Sequence, residues 1–118
     1  MSAYTIYHNP RCSKSRQTLQ LLQERGVEPE VVLYLETPPS ANELASLLDK
    51  LGMTARQLLR KGEEEYKLRG LSDQSLDDEA LIQAMCEAPK LIERPIVICG
   101  GRAVLGRPPE NVLDLLGA

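Results

Sequence analysis

The sequence predicts an α/β fold in which a βαβ unit and a ββα unit build a mixed four-stranded sheet, with a helical insertion between them. Two observations carry this prediction. Near the start, β-branched and aromatic segments at 3–8 and 31–35 flank an amphipathic stretch long enough for a crossover helix. Near the end, the apolar runs 95–99 and 102–105 flank two glycines, and a helical pattern follows. The first pair of strands should therefore be parallel and the second antiparallel.

The first unit is predicted in detail by its turn residues. The strand at 3–8 ends at Asn9-Pro10, because proline cannot donate a backbone hydrogen bond. A helix follows from Ser13, with apolar residues on one face, and Gly26 is a typical residue just beyond a helix C-terminus. The apolar run 31–35 then predicts the second strand.

The insertion, roughly 40–90, is predicted to be helical. Ser40 and Glu43 form a capping-box pattern before leucines at helical spacing over 44–51, and Gly52 ends that helix. Thr54 is expected to cap a short helix that ends near Leu59.

The rest of the insertion and the C-terminus complete the pattern. The acidic stretch 63–80 is expected to lie on a solvated helical face, and a further amphipathic helix runs from about Asp77 to Ala88-Pro89. A final helix is predicted from Pro109 to Gly117. The chain is thus predicted to be a single domain over 1–118, arranged as in the thioredoxin fold.

Composition narrows the class of protein. The 118 residues are 42% hydrophobic and 26% charged with a net charge of −3, and the sequence contains no apolar run of membrane-spanning length. Lys and Arg do not cluster as a nucleic-acid surface requires, and no secretory signal pattern is present. We therefore expect a cytoplasmic monomer that binds neither membrane nor nucleic acid.

The three cysteines suggest one reactive thiol. Cys12, Cys86 and Cys99 match no zinc-binding spacing, so we expect no metal site and no structural disulfide framework. Cys86 and Cys99 fall in predicted apolar elements, where packing is the expected role, and a redox role stays open. Ser15 occupies the position where a Cys-x-x-Cys enzyme has its second cysteine. An external thiol should therefore resolve any oxidised product of Cys12.

Cys12 is the candidate nucleophile because it opens the first predicted helix. Unpaired amides and the helix dipole favour an anion there, and neighbouring cations add to the effect. We predict that His8, Ser15 and Arg16 stabilise its thiolate, with His8 either acting as an imidazolium or serving only a structural role.

Five segments in order resemble one family. The sequence resembles the glutaredoxin-coupled arsenate reductases of the thioredoxin-like superfamily, in particular their short chromosomal members. The resembling segments are His8-Asn-Pro10-x-Cys12-Ser13 with Arg16, Leu33–Glu36, Leu58–Lys61, Glu93–Val97 and Gly106–Pro108.

The resemblance implies an activity and a set of site residues. Cys12 would attack arsenate to form a covalent adduct, and Arg60, Arg94 and Arg107 would surround the oxyanion. Glutathione would be a co-substrate, glutaredoxin the protein partner, and no cofactor would be bound. Arginine suits this role because its planar donors match a tetrahedral oxyanion and keep their charge. The fold resemblance also implies a cis peptide bond before Pro95.

Two alternatives remain open at the level of sequence. Spx-type regulators, which bind RNA polymerase, share the fold and the family signature, although Ser15 and the three arginines argue against that reading. A glutathione-dependent thiol oxidoreductase with another substrate would need Cys12 but could dispense with Arg60 and Arg107.

Overall fold

The computed structural model describes residues 4–116, which form two compact units. The first, here the sheet unit, comprises the described residues up to Thr37 and from Arg94 onward. The second, here the helical unit, comprises Pro38–Glu93 and contains the predicted insertion. Each unit is described by itself below.

The sheet unit is built on four strands, which are β1 (Tyr4–Tyr7), β2 (Glu30–Val32), β3 (Ile96–Cys99) and β4 (Arg102–Leu105). Their spatial order is β2-β1-β3-β4. The β1–β2 pair is parallel, and the β1–β3 and β3–β4 pairs are antiparallel. This arrangement confirms the predicted α/β class with a mixed four-stranded sheet.

The strand register determines which loops meet. Tyr7 at the end of β1 pairs with Ile96 at the start of β3, and Ile96 pairs in turn with Leu105 at the end of β4. The segments that follow Tyr7, precede Ile96 and follow Leu105 therefore emerge at the same end of the sheet.

Helices cover the sheet and complete its core. Helix α1 (Ser13–Glu24) follows β1 as predicted, and its Leu22 is fully buried against Ile6 and Val97 of the sheet. The C-terminal segment differs from prediction, because it opens as a 3-10 turn over Pro109–Val112. Such turns are common at helix ends. The α-helix proper is α6, Leu113–Leu116, and the predicted stop at Gly117 lies outside the described residues.

Strand β2 is shorter than the predicted 31–35. It ends at Val32 because the Leu33 carbonyl accepts hydrogen bonds from the amides of Glu36 and Thr37, both at 2.9 Å, which turns the chain. Tyr34 is buried within this turn and stacks on Tyr7, with ring centroids 6.3 Å apart.

The helical unit follows the predicted order of elements. The helices are α2 (Ala41–Leu51), α3 (Ala55–Leu58), α4 (Glu64–Leu68) and α5 (Asp78–Glu87), followed by a 3-10 turn at Pro89–Leu91 that was not predicted. Ser40 caps α2 through the predicted capping box with Glu43, and Gly52 ends that helix in the left-handed conformation. Thr54 caps α3, and α5 packs against both α2 and α3. Helix α4 has no buried residue, as the acidic composition predicts.

A short antiparallel bridge joins two distant parts of the helical unit. Leu59 pairs with Ile92, flanked by hydrogen bonds from the Arg60 amide to the Leu91 carbonyl (2.8 Å) and from the Glu93 amide to the Leu58 carbonyl (3.0 Å). Leu59 and Ile92 are buried. The backbones of Arg60 and Glu93 are therefore held on adjoining segments, and we call this feature the 59–92 bridge.

Candidate active site

Cys12 lies at the N-terminus of α1, as the sequence predicts. It is the N-cap residue in extended conformation, its amide donates to the Asn9 carbonyl (3.0 Å), and its carbonyl accepts from the Arg16 amide (3.0 Å). The Asn9 side chain in turn accepts from the Arg11 amide (3.0 Å). These bonds fix the loop backbone and leave the Cys12 side chain as a free thiol that is 9% exposed.

Ser15 and His8 form a buried hydrogen-bonded pair beneath this loop. Ser15 Oγ lies 2.7 Å from His8 Nδ1 and accepts a hydrogen bond from the Asn9 amide (3.0 Å). Ser15 is fully buried and His8 is 6% exposed. Ser15 thus ties the end of β1 to the first turn of α1 from the position where a dithiol enzyme has its second cysteine.

The surroundings of His8 favour the neutral imidazole. Burial lowers the pKa of His8 below its usual 6.5, and the nearby charge of Arg16 lowers it further. A neutral ring can accept at Nδ1, so the Ser15 hydroxyl can donate to His8 while its oxygen accepts from Asn9. Of the two readings of His8, the structure favours a neutral, loop-organising residue, and its effect on the thiolate stays a prediction.

Arg16 is exposed on the outer side of the loop. Its Nη1 donates to the Pro10 carbonyl at 2.8 Å, which fixes the guanidinium within the same loop that carries Cys12. His8, Cys12, Ser15 and Arg16 are therefore brought together around the start of α1.

Arg94 and Arg107 meet at the same end of the sheet. The Arg107 Nη1 donates to the Arg94 carbonyl (3.1 Å), and the Nε and Nη1 atoms of Arg94 are buried. The peptide bond between Arg94 and Pro95 is cis, as the fold resemblance implies, and that between Arg107 and Pro108 is cis as well. Because both arginines flank the sheet end from which the Cys12 loop emerges, the three residues share one region of the sheet unit.

A close contact holds α1 against the arginine-bearing segments. The Gly106 amide donates to the Pro95 carbonyl (2.9 Å), and the buried Thr18 side chain packs on Gly106. A Cβ at Gly106 would lie 2.7 Å from Thr18 Oγ1 and 2.9 Å from Pro95 Cγ. Only glycine fits there, and neither Thr18 nor Gly106 was singled out for this contact by the sequence pattern.

Arg60 lies in the helical unit, directly after α3. Its Nη1 is 2.9 Å from Glu63 Oε2 and its Nε is 3.2 Å from Glu93 Oε1. Neither glutamate was predicted as a partner. Arg60 and Glu63 lie at the two ends of a turn in which the Glu63 amide donates to the Arg60 carbonyl (3.3 Å). The role of Arg60 at an oxyanion stays a prediction.

The other two cysteines lie away from the Cys12 loop in sequence. Cys86 is half-buried in α5, and burial, followed by the charges of Glu87 and Glu43, raises the pKa of its thiol. Cys99 is half-buried at the end of β3, where it pairs with Tyr4 of β1 across the two strands. A raised pKa makes Cys86 a poor nucleophile at neutral pH.

Two further features of residues 4–116 are relevant to function. Within them, no group of three or more His, Cys, Asp or Glu side chains is placed to hold a metal ion. Among the helices of these same residues, none has both the length and the apolar character needed to cross a membrane.

Known proteins are similar to this chain over nearly its whole length. The model of the ArsC family matches residues 7–115. The uncharacterized protein YfgD of Escherichia coli K12 is 64% identical over 113 residues, which cover 95% of each chain. The arsenate reductase of Neisseria meningitidis serogroup A is 50% identical over 117 residues, covering 98% of this chain and all of the relative. A solved structure of arsenate reductase from Vibrio cholerae superposes with a TM-score of 0.92 at 55% identity, covering 94% of this chain and 95% of the other.

Proposed function

This chain belongs to the ArsC family, and from that premise we propose that it reduces arsenate to arsenite, with Cys12 as the nucleophile. The observation that carries the proposal is the placement of one free thiol at the start of α1, at the sheet end that also bears Arg94 and Arg107. The arsenate reductase names of the similar proteins support the choice of substrate.

The arginines reduce the charge repulsion between the thiolate and its substrate. Arsenate is mostly a dianion at neutral pH, so a thiolate that approaches it meets like charge. Guanidinium groups reduce that repulsion and hold the tetrahedral anion by paired hydrogen bonds. We assign this role to Arg94 and Arg107, and to Arg60 on the basis of the family resemblance.

The proposed chemistry consumes two molecules of glutathione and uses glutaredoxin as the protein partner. The Cys12 thiolate attacks arsenic, forms a sulfur–arsenic(V) bond and displaces one hydroxyl group, which takes a proton from solvent and leaves as water. Glutathione then supplies its thiol: arsenic takes up two electrons and leaves as arsenite, while Cys12 and glutathione are oxidised to a mixed disulfide. Glutaredoxin removes the glutathionyl group with a second glutathione, which yields glutathione disulfide and the free Cys12 thiol. The serine at position 15 supports this external route, because no neighbouring cysteine is available there.

The test is a coupled assay that follows NADPH consumption with arsenate, glutathione, glutathione reductase and glutaredoxin. The parent protein should turn over, Cys12→Ser should lose all arsenate-dependent activity, and Cys86→Ala should retain it. Parent protein without arsenate-dependent turnover would contradict the proposal. Turnover that requires Cys86 would contradict the external-thiol route.

A comparison of two activities distinguishes the proposed function from the thiol oxidoreductase alternative. Arg60→Ala and Arg107→Ala should lose arsenate reduction, whereas any removal of glutathione from a model mixed disulfide, measured with glutaredoxin left out, should be unchanged, because the anion is present only in the first reaction. If the parent removes glutathione but never reduces arsenate, the thiol oxidoreductase reading is correct instead.

A further inference from the structure

The guanidinium of Arg60 is held between two carboxylates. Glu63 Oε2 lies 2.9 Å from Nη1, and Glu93 Oε1 lies 3.2 Å from Nε. The three side chains are 26%, 28% and 24% exposed, so solvent screens these pairs less than fully exposed ones. One positive charge therefore lies between two negative charges at a partly buried position.

These contacts limit how Arg60 can hold another anion. A guanidinium binds an oxyanion by two parallel N–H bonds, either through Nη1 and Nη2 or through Nε and Nη2. Glu63 accepts a hydrogen bond from Nη1, one nitrogen of the first fork, and Glu93 forms an ion pair with Nε, one nitrogen of the second. A tetrahedral oxyanion that binds Arg60 through either fork therefore approaches a nitrogen that already contacts a carboxylate of the protein.

The two carboxylates are anchored differently. Glu93 sits on the 59–92 bridge, where its amide donates to the Leu58 carbonyl (3.0 Å). Glu63 precedes α4, a five-residue helix with no buried residue, and its side chain makes no cap hydrogen bond to that helix. Glu63 can therefore swing away from Arg60 at little cost in packing, whereas Glu93 stays beside it.

We propose that Glu63 is a releasable counter-ion of Arg60 that competes with the substrate oxyanion, while Glu93 keeps the guanidinium oriented. The inference rests on the proposed function, since it takes Arg60 as an oxyanion ligand. In the empty enzyme Glu63 offsets the charge of Arg60. When the oxyanion binds, it replaces the Glu63 carboxylate at Nη1, so Glu63 weakens substrate affinity without taking part in bond making.

The first test is Glu63→Gln in the arsenate-dependent assay, with Glu64→Gln as the matched control. Glu64 is the next residue, is exposed, and loses the same charge on substitution. Glu63→Gln should lower KM for arsenate about three- to tenfold, the range expected for losing one partly screened ion pair. The value of kcat should stay within about twofold, because the competition acts on binding alone. Glu64→Gln should change KM by less than about twofold.

A double-mutant cycle provides the second test. Arsenate binding to Cys12→Ser protein, measured by titration calorimetry, should tighten on Glu63→Gln when Arg60 is present and should not respond when Arg60 is Ala. An unchanged or raised KM in Glu63→Gln would overturn the inference. An equal gain in Glu64→Gln, or a gain that persists without Arg60, would overturn it as well.

The binding measurement also keeps the two proposals distinguishable. If the parent does not reduce arsenate, the proposed function fails, and the calorimetric cycle still decides whether Glu63 competes for Arg60. If the parent reduces arsenate but the calorimetric cycle on Cys12→Ser protein shows no tightening on Glu63→Gln, the inference about Glu63 fails and the proposed function stands.

Discussion

At the scale of single residues, the Ser15 side chain holds the Cys12 loop in place by hydrogen bonds. It is fully buried, and its hydroxyl group satisfies both the Asn9 amide and His8 Nδ1. Leaving either buried partner without a hydrogen bond costs about 1–3 kcal/mol. The residue in the resolving-cysteine position is therefore a structural part of the Cys12 loop.

The environment of His8 predicts a dependence of stability on pH. Because burial and Arg16 lower the pKa of His8 in the folded protein below 6.5, the unfolded chain binds a proton here more readily than the folded one. The free energy of unfolding should therefore fall as the pH drops below about 6.5, by at most about 1.4 kcal/mol per pH unit for this group.

Urea denaturation of the parent and of His8→Asn at about pH 7.5 and about pH 5.5 measures this contribution. Asparagine can place an acceptor near Nδ1 but does not titrate, and carboxylate effects are common to both proteins. The parent should lose more stability than the variant at the lower pH. A parent that gains stability relative to the variant would show that the folded state favours the imidazolium instead.

At the scale of elements, Gly106 joins α1 to the start of β3 and the end of β4. The space for a Cβ at this position is filled by Thr18 and Pro95. Any larger residue must push the helix that carries Cys12 away from the segment that carries Arg107. The contact thus sets how closely the nucleophile's helix approaches the arginine-bearing loops within the sheet unit.

Gly106→Ala should therefore destabilise the fold by about 1–3 kcal/mol, the usual cost of overpacking. Gly101→Ala is the matched control, since a Cβ there meets no atom within 4 Å, and its effect should stay within about 0.5 kcal/mol. Thermal and urea denaturation measure both variants. Equal stability of Gly106→Ala and the parent would mean that the contact relaxes freely.

The sequence predicts elements best where local chemistry decides them. The capping residues Ser40 and Thr54 and the glycine turn after Cys99 formed as predicted because each depends on neighbours within a few residues. The early end of β2 depends on a turn whose acceptor, Leu33, is apolar in sequence and gives no signal.

In the candidate site, too, features set by neighbouring residues were predictable and features set by distant contacts were not. The position of Cys12 at the start of α1 was predictable from Asn9-Pro10 and the helical pattern that follows. The pairing of Arg60 with Glu93 was not, because it depends on the 59–92 bridge between segments far apart in sequence. The sequence therefore indicates which arginines to consider, and tertiary structure gives their partners.

At the scale of the whole molecule, few large apolar side chains are exposed among residues 4–116. They are Val31, Leu33, Leu35 and Leu68, and the first three lie at or next to the edge strand β2. That strand is only three residues long and begins with Glu30, and both features discourage pairing with another chain. A stable dimer generally buries at least about 1,200 Å² in total, which is more area than these few side chains contribute.

We therefore predict a monomer in solution. Size-exclusion chromatography with light scattering should give a mass near 13.1 kDa that does not rise with protein concentration. A mass near twice that value would contradict the prediction. In that case Val31→Lys would test whether the β2 edge forms the interface, since Lys at an edge opposes strand pairing.

The 59–92 bridge has a consequence for how this chain tolerates changes in length. It closes the intervening segment into a ring, and the entropy of ring closure grows only with the logarithm of ring size, about 0.6 kcal/mol for each doubling. Residues added at the exposed turn 72–75 would lengthen the ring without separating Arg60 from Glu93. Insertions or a fused domain can therefore enter at this turn while the guanidinium keeps its carboxylate anchor.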